Sequence, residues 1–277
     1  MTYAPSAGAR LYCEEAGSGY PIVFVHEFAG DHRSWESQVR FFSRRYRCIT
    51  YAARGYPPSD VPEDAAAYGQ DQAADDVAAV MDHFGIARAH VVGLSMGGFA
   101  TVHFGLRHGA RARSLVVGGC GYGAPPATHA AFAETARGHA ARIEEIGMPA
   151  FVAEYARSAP RLTLERKDPR GYAEFMAQFA EHSAHGSAMH MRHVQGARPS
   201  LWDFAGRLAR LPMPVLVVAG DEDGDCLETG IFLKRTIPDC GVWLVPDTGH
   251  AVNLEEPAAF NREVARFLTA AEDRSPA

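Results

Sequence analysis

The sequence has almost no lysine: Lys167 and Lys234 are the two in a set of 27 basic residues, and the rest are arginine. This reads as a compositional bias of the encoding genome and carries no chemistry. Positive charge is not in excess either. Thirty-three acidic residues bring the net charge to −6, which argues for a soluble protein and against nucleic acid as a partner. Cysteine is sparse. The five residues (Cys13, Cys48, Cys120, Cys226, Cys240) are odd in number, widely spaced and never in a Cys-x-x-Cys pair, which excludes a zinc ribbon or a disulfide framework. No charged segment followed by an apolar run follows Met1, so no signal peptide is expected. No uninterrupted apolar stretch approaches the roughly 18 residues of a membrane span. These absences together predict a cytoplasmic protein with no membrane partner. Internal repeats and low-complexity linkers are also lacking.

What is present suits one α/β domain with an insertion, or at most two domains. The chain has 277 residues, and 47% of them are hydrophobic, enough for a full core. Short apolar runs alternate with helical patterns, the mark of a mostly parallel, doubly wound sheet. Strands are predicted at 21–26, 47–51, 89–92, 114–117, 214–219 and 242–245. Helices are predicted at 34–42, over 70–84, where Ala73, Val77, Val80, Met81 and Phe84 share a face, and from about 257 to 268. Between roughly 122 and 207 the strands stop, and alanine-rich helical stretches are broken at Gly147-Met148-Pro149, Asp168-Pro169 and Arg198-Pro199. That segment is too long for a loop. It is expected to be a helical insertion over the strand C-termini, where open α/β sheets bind ligands, leaving residues 1–121 and 208–277 as the core. The polar tail, Glu272 to Ala277, is expected to fray.

The most informative stretch is Val91-Val92-Gly93-Leu94-Ser95-Met96-Gly97-Gly98. It reads as an apolar strand running into a Gly-x-Ser-x-Gly turn and then into a helix that starts near Phe99. Glycines at 93 and 97 remove the Cβ atoms that would collide where the chain doubles back. Ser95 is thereby raised on a strained elbow, and the helix N-terminus behind it favours developing negative charge. A serine hydroxyl needs a base, and the base needs an orienting partner. Both follow in the order Ser, Asp, His. Gly220-Asp221-Glu222-Asp223 comes after one apolar strand, and Asp247-Thr248-Gly249-His250 after the next. Asp221, Asp223 and Asp225 all compete for the role of acid, and spacing does not choose between them. An oxyanion also needs donors. The candidates are the amides of Met96 and of Phe28, the latter in the loop His26-Glu27-Phe28-Ala29-Gly30.

These pieces, with Ala53-Arg54-Gly55-Tyr56-Pro57-Pro58-Ser59 and Asn253-Leu254-Glu255-Glu256-Pro257, resemble the α/β-hydrolase superfamily along nearly the whole chain. The resemblance implies a Ser95–His250–Asp223 triad, an oxyanion hole at Phe28 and Met96, a cap domain at 122–207, and no metal or organic cofactor. One residue departs from the family pattern: Glu27 stands where a glycine is usual. Glu27 is expected to point to solvent on a tolerant loop. If the position needed a positive φ it would be strained, and turned inward it would perturb His26 or bind a polar substrate group. His26, Glu27, Met189 and Trp202 are the candidate pocket residues, and Met191 joins Met189 and Trp202 as a candidate for an adaptable apolar lining. In the cap, His182, His185, His190 and His193 are spaced so that some share a helix face. Glu181 is the one carboxylate near them and Gly186 interrupts the helix, so a lining or exposed surface is expected there and no metal site. The expected activity is hydrolysis of a small to medium carboxylic ester, the partner being that small molecule; a homodimer is left open. A lactonase, a C–C bond hydrolase and a slow-turnover receptor are the alternatives on the same triad. Leu94 and Ala251 depart from the C–C hydrolase pattern.

Overall fold

In the computed structural model, which describes residues 1–157 and 159–274, eight strands form one sheet. They are β1 (Thr2–Ser6), β2 (Ala9–Ala16), β3 (Tyr20–Val25), β4 (Tyr46–Tyr51), β5 (Ala89–Leu94), β6 (Ala112–Gly118), β7 (Val215–Gly220) and β8 (Cys240–Val245), in the order β1-β2-β4-β3-β5-β6-β7-β8. From β4 to β8 the strands are parallel; β1 and β2 join antiparallel at one edge. The tail residues 275–277 lie outside the described residues.

Alternation along each strand builds two cores. Val91 faces α2 (Gln70–His83) and α3 (Met96–His108), and Val92 faces α1 (Glu36–Phe42) and the C-terminal helix Pro257–Asp273. Every residue of β5 and β7 is buried, as a parallel strand covered on both faces requires. Each fully buried large side chain, such as Phe24 or Phe104, contributes about 1.5–3 kcal/mol. The C-terminal helix buries Phe260, Val264 and Leu268 at four-residue spacing. It runs five residues beyond the expected Leu268, and α3 starts three residues before the expected Phe99. The antiparallel edge was not anticipated, because Pro5 interrupts the strand pattern. Pro5 is tolerated in β1 because an edge strand has one side free of ladder bonds.

The segment between β6 and β7 is helical. It contains α4 (Pro126–Tyr155), α5 (Ala159–Lys167), α6 (Pro169–Ala180), α7 (Ala184–Met189) and a π-helical stretch, His190–Gln195. The expected breaks have physical causes. Gly147 adopts φ 73° and kinks α4 two residues before Pro149. Asp168 caps α6 through the Gly171 amide, with Pro169 in the first turn. Gly186 is a correction: it lies inside α7. Its missing side chain lets the helix press on the core, since a Cβ there would sit 1.9 Å from the Gly55 carbonyl oxygen. A third apolar cluster joins Phe28, Tyr56 and Ala251 from loops that follow strands, and Met96 at the start of α3, to Phe151, Phe179 and Met191 of the inserted helices. The insertion therefore lies over the C-terminal ends of the strands.

One buried ion pair ties the sheet edge to the loop after β4. Asp76 of α2 accepts from Arg54 at 2.6 and 2.8 Å and from Ser6 at 2.6 Å, and both partners of the pair are 2% exposed. Removing one buried charge leaves the other uncompensated. Asp76→Ala is expected to lower unfolding free energy by about 3–5 kcal/mol in urea titration. A loss below about 1 kcal/mol, the range of exposed pairs, would refute a structural role for the pair.

Candidate active site

The turn between β5 and α3 carries Ser95 at φ 55° and ψ −115°, a left-handed conformation rare for a residue with a side chain. Two close approaches force it. A Cβ on Gly93 would meet the Gly97 carbonyl oxygen at 2.2 Å, and one on Gly97 would meet the Val25 carbonyl oxygen at 2.1 Å. The Ser95 amide donates to the Gly118 carbonyl at 2.8 Å, pinning the turn to β6. Met96 is the first residue of α3, so its amide is among those a helix cannot satisfy internally. Phe28, in the loop after β3, lines the same cavity as Ser95. The Tyr56 hydroxyl donates to the Phe28 carbonyl at 3.0 Å and holds that loop.

The imidazole and carboxylate arrive from the ends of β8 and β7. His250 Nε2 lies 2.8 Å from Ser95 Oγ, and His250 Nδ1 lies 2.7 Å from Asp223 Oδ2. Asp223 is fully buried. Burial alone would raise its pKa, but the charge and hydrogen bond of His250, with Cys226 and Tyr122 against the carboxylate, bring it down to about 2. The competing acids are elsewhere: Asp221 is exposed and accepts from the Thr248 amide at 3.2 Å, and Asp225 is half-buried at the start of the following helix. Two supports of His250 carried no role in the sequence reading. Glu255 accepts from the amides on either side of the histidine, Gly249 at 2.8 Å and Ala251 at 3.1 Å. The Tyr122 ring packs edge-on against the imidazole at 5.4 Å. The only signal for Glu255 was its place in the Asn253–Pro257 motif.

A cavity of about 200 Å³ opens beside Ser95 and His250. Phe28, Tyr122, Phe132, Ala136, Tyr155 and Met191 give it a largely apolar wall, and Thr135, His139, Arg161 and Gln195 add polar groups. The candidate pocket residues fall differently. Met191 and Gln195 of the π-helical stretch line the cavity, and the half-buried Met189 does not. Trp202 instead stacks on Phe232 at 3.9 Å, at the margin of the core. His26 is a satisfied core histidine. Its Nδ1 lies 2.7 Å from the Glu27 carbonyl and its Nε2 accepts from the Ala53 amide at 2.9 Å, and burial lowers its pKa to about 4. Glu27 overturns the expectation that it faces solvent. It is 1% exposed, has no positive φ, and forms an ion pair with Arg161 of α5, one bond being 2.9 Å. Arg161 compensates the burial, and its sequence separation of 134 residues hides the pairing from any local pattern.

Among the described residues, the inserted histidines do not bring their ring nitrogens together as a ligand set. His190 donates to the Arg54 carbonyl at 2.6 Å, His185 lies 3.3 Å from the Pro62 carbonyl, and His182 packs on the Tyr56 ring. Among the described residues, the one group of metal-ligand types that does converge is Asp223 and His250 of the relay with the neighbouring buried Cys226. Among the described residues, no helix is long and apolar enough to cross a membrane.

A mostly parallel sheet with a serine elbow and an imidazole–carboxylate pair at its strand ends is the frame of a hydrolase. Residues 20–257 match the alpha/beta hydrolase fold family, and the chain belongs to it. It is 28% identical over 251 residues to 3-oxoadipate enol-lactonase 1 of Acinetobacter baylyi, covering 89% of this chain and 88% of that protein. The enol-lactonase structure from Burkholderia xenovorans is similar with a TM-score of 0.83, 26% identity and coverage of 96% and 99% of the two chains. A thermophilic esterase from Thermogutta terrifontis shares the fold with a TM-score of 0.85 at 24% identity, over 98% of each chain.

The low pKa of Asp223 has a pH signature. Its folded value, about 2, lies below the ordinary 3.8 of an unfolded chain. The stabilisation is therefore complete above about pH 4 and is lost as pH falls toward 2. Unfolding free energies of wild type and Asp223→Asn should differ by about 2 kcal/mol at pH 5 and converge by pH 2. A difference that stays constant over that range would show that the carboxylate is not held ionised.

Proposed function

We propose that the protein is a serine hydrolase that cleaves a small to medium carboxylic ester through an acyl-enzyme. The observation that carries this reading is the hydrogen-bonded relay from Ser95 Oγ through His250 to Asp223, with bonds of 2.8 and 2.7 Å at the mouth of an apolar cavity. Ser95 attacks the acyl carbon and His250 Nε2 takes its proton. Asp223 holds the imidazole in the tautomer that can accept it and stabilises the imidazolium that forms. The amides of Met96 and Phe28 receive the oxyanion. His250 then protonates the departing alkoxide, and water, deprotonated by the same imidazole, releases the acid. The residues 122–207 act as a cap that limits substrate size. The chain's own groups complete this sequence without a cofactor.

A lactone is the second reading, favoured by the likeness to proteins named enol-lactonases at 28% and 26% identity. The chemistry is the same, and only the tether between acyl and alcohol groups differs. A receptor with slow turnover would keep the same relay, and measured turnover separates it from an enzyme.

The test is hydrolysis of p-nitrophenyl esters of graded acyl length. Ser95→Ala should lower turnover on the order of 10³-fold or more with the fold intact. Retained activity would sink the mechanism. Asp223→Asn should be far more damaging than Asp221→Asn or Asp225→Asn, and equal effects across the three would overturn the choice of acid.

A further inference from the structure

Glu27 and Arg161 stand outside the relay, yet they meet at its edge. Arg161 lines the cavity with Ser95 and His250. Among the described residues it is the one permanently charged residue in that lining; burial lowers the pKa of the His139 imidazole, which favours its neutral form. Its guanidinium does not lie open to a ligand. It is 3% exposed, packed 5.7 Å from the Tyr155 and Phe175 ring centres, and both Nη atoms are engaged by the Glu27 carboxylate. Glu27 occupies the position where the family pattern has a glycine, which carries no charge.

We propose that Glu27 determines acyl selectivity by cancelling the charge of Arg161, so that the cavity takes an uncharged acyl group and rejects one that carries a carboxylate. This deepens the hydrolase reading and rests on it. The argument is one of competition. A carboxylate entering the cavity has one strong cationic partner there, and that partner already holds a carboxylate in fixed bidentate geometry. Taking Arg161 away would strand Glu27, buried and unpaired, next to Phe28 and within electrostatic reach of His250. Leaving the pair intact would strand the substrate's own charge against Tyr122, Phe132 and Met191. An alkyl or aryl acyl group meets neither cost.

The test compares p-nitrophenyl hexanoate with the mono-p-nitrophenyl ester of adipic acid, which match in chain length and differ in a terminal carboxylate. Wild type should prefer the hexanoate in kcat/KM. Glu27→Gln, and independently Glu27→Gly, should move that ratio toward the adipate on the order of tenfold or more, chiefly through KM. The double variant Glu27→Gln/Arg161→Gln should lose the shift, since the freed cation causes it. Equal use of both esters by wild type, an unchanged ratio in the folded single variants, or the same shift in the double variant would each overturn the proposal. Calorimetric binding of hexanamide and adipamate to Ser95→Ala, with and without Glu27→Gln, reads the same selectivity without turnover. If no ester is cleaved by any variant, the hydrolase reading fails, and the binding comparison still decides the role of Glu27.

Discussion

The close contact between the start of α3 and the ends of β3 and β5 is the constraint on which the site depends. Gly93 and Gly97 leave no room for a Cβ: backbone oxygens lie 2.2 and 2.1 Å from where those atoms would be. The helix can therefore begin directly above the sheet. The one residue between the end of β5 at Leu94 and the start of α3 at Met96 must then absorb the change of direction, and Ser95 does so at φ 55°. Its strain is held by packing on both sides of the turn, since the Ser95 amide is bonded to the Gly118 carbonyl of β6 and Thr101 bonds back to the Gly97 carbonyl. The backbone thus presents a hydroxyl and an unsatisfied helix amide side by side.

Charge is buried here in a controlled way. Asp223 lies beneath His250 with no solvent exposure, Arg54 pairs with Asp76 below the loop after β4, and Glu27 pairs with Arg161 beside the cavity. Each is an acid whose partner comes from a different part of the chain. Removing either member leaves the other with nothing to solvate it. The pairs add little net stability over an apolar substitute, but they fix which loops meet. For the site this means that the loop bearing Phe28 is positioned twice, by the Tyr56 hydroxyl at its carbonyl and by Arg161 at the preceding side chain.

The parts of the fold with a period were legible in the sequence. β7 is an unbroken apolar run, β5 is one but for His90, and the C-terminal helix buries Phe260, Val264 and Leu268 at every fourth position. The elbow was legible because its glycines are a steric requirement written in the chain. The antiparallel edge was not, because Pro5 and the two glutamates of β2 obscure alternation there. Spacing left Asp221, Asp223 and Asp225 equivalent; the family pattern chose between them, and in the structure the turn after β7 brings Asp223 to His250. Glu27 was misjudged for a different reason. Its environment is made by an arginine 134 residues away on an inserted helix, and no local rule reports a partner at that distance. Of the three apolar candidates from the inserted segment, Met191 lines the cavity while Met189 and Trp202 do not, because which side of a helix faces the site is set by packing against the core and not by residue type.

Tyr56 gathers several of these elements at one point. Its ring meets His26 at 4.7 Å, His190 at 4.9 Å and His182 at 5.0 Å, and its hydroxyl holds the Phe28 carbonyl. It is fully buried, so none of these neighbours can relax into water when another changes. Substitutions around this ring will consequently not combine as independent increments: positions 26, 28, 182 and 190 share a single phenol, and their effects will be coupled through it. A library that varies them together explores this enzyme's accessible forms, whereas one that stacks individually neutral changes does not.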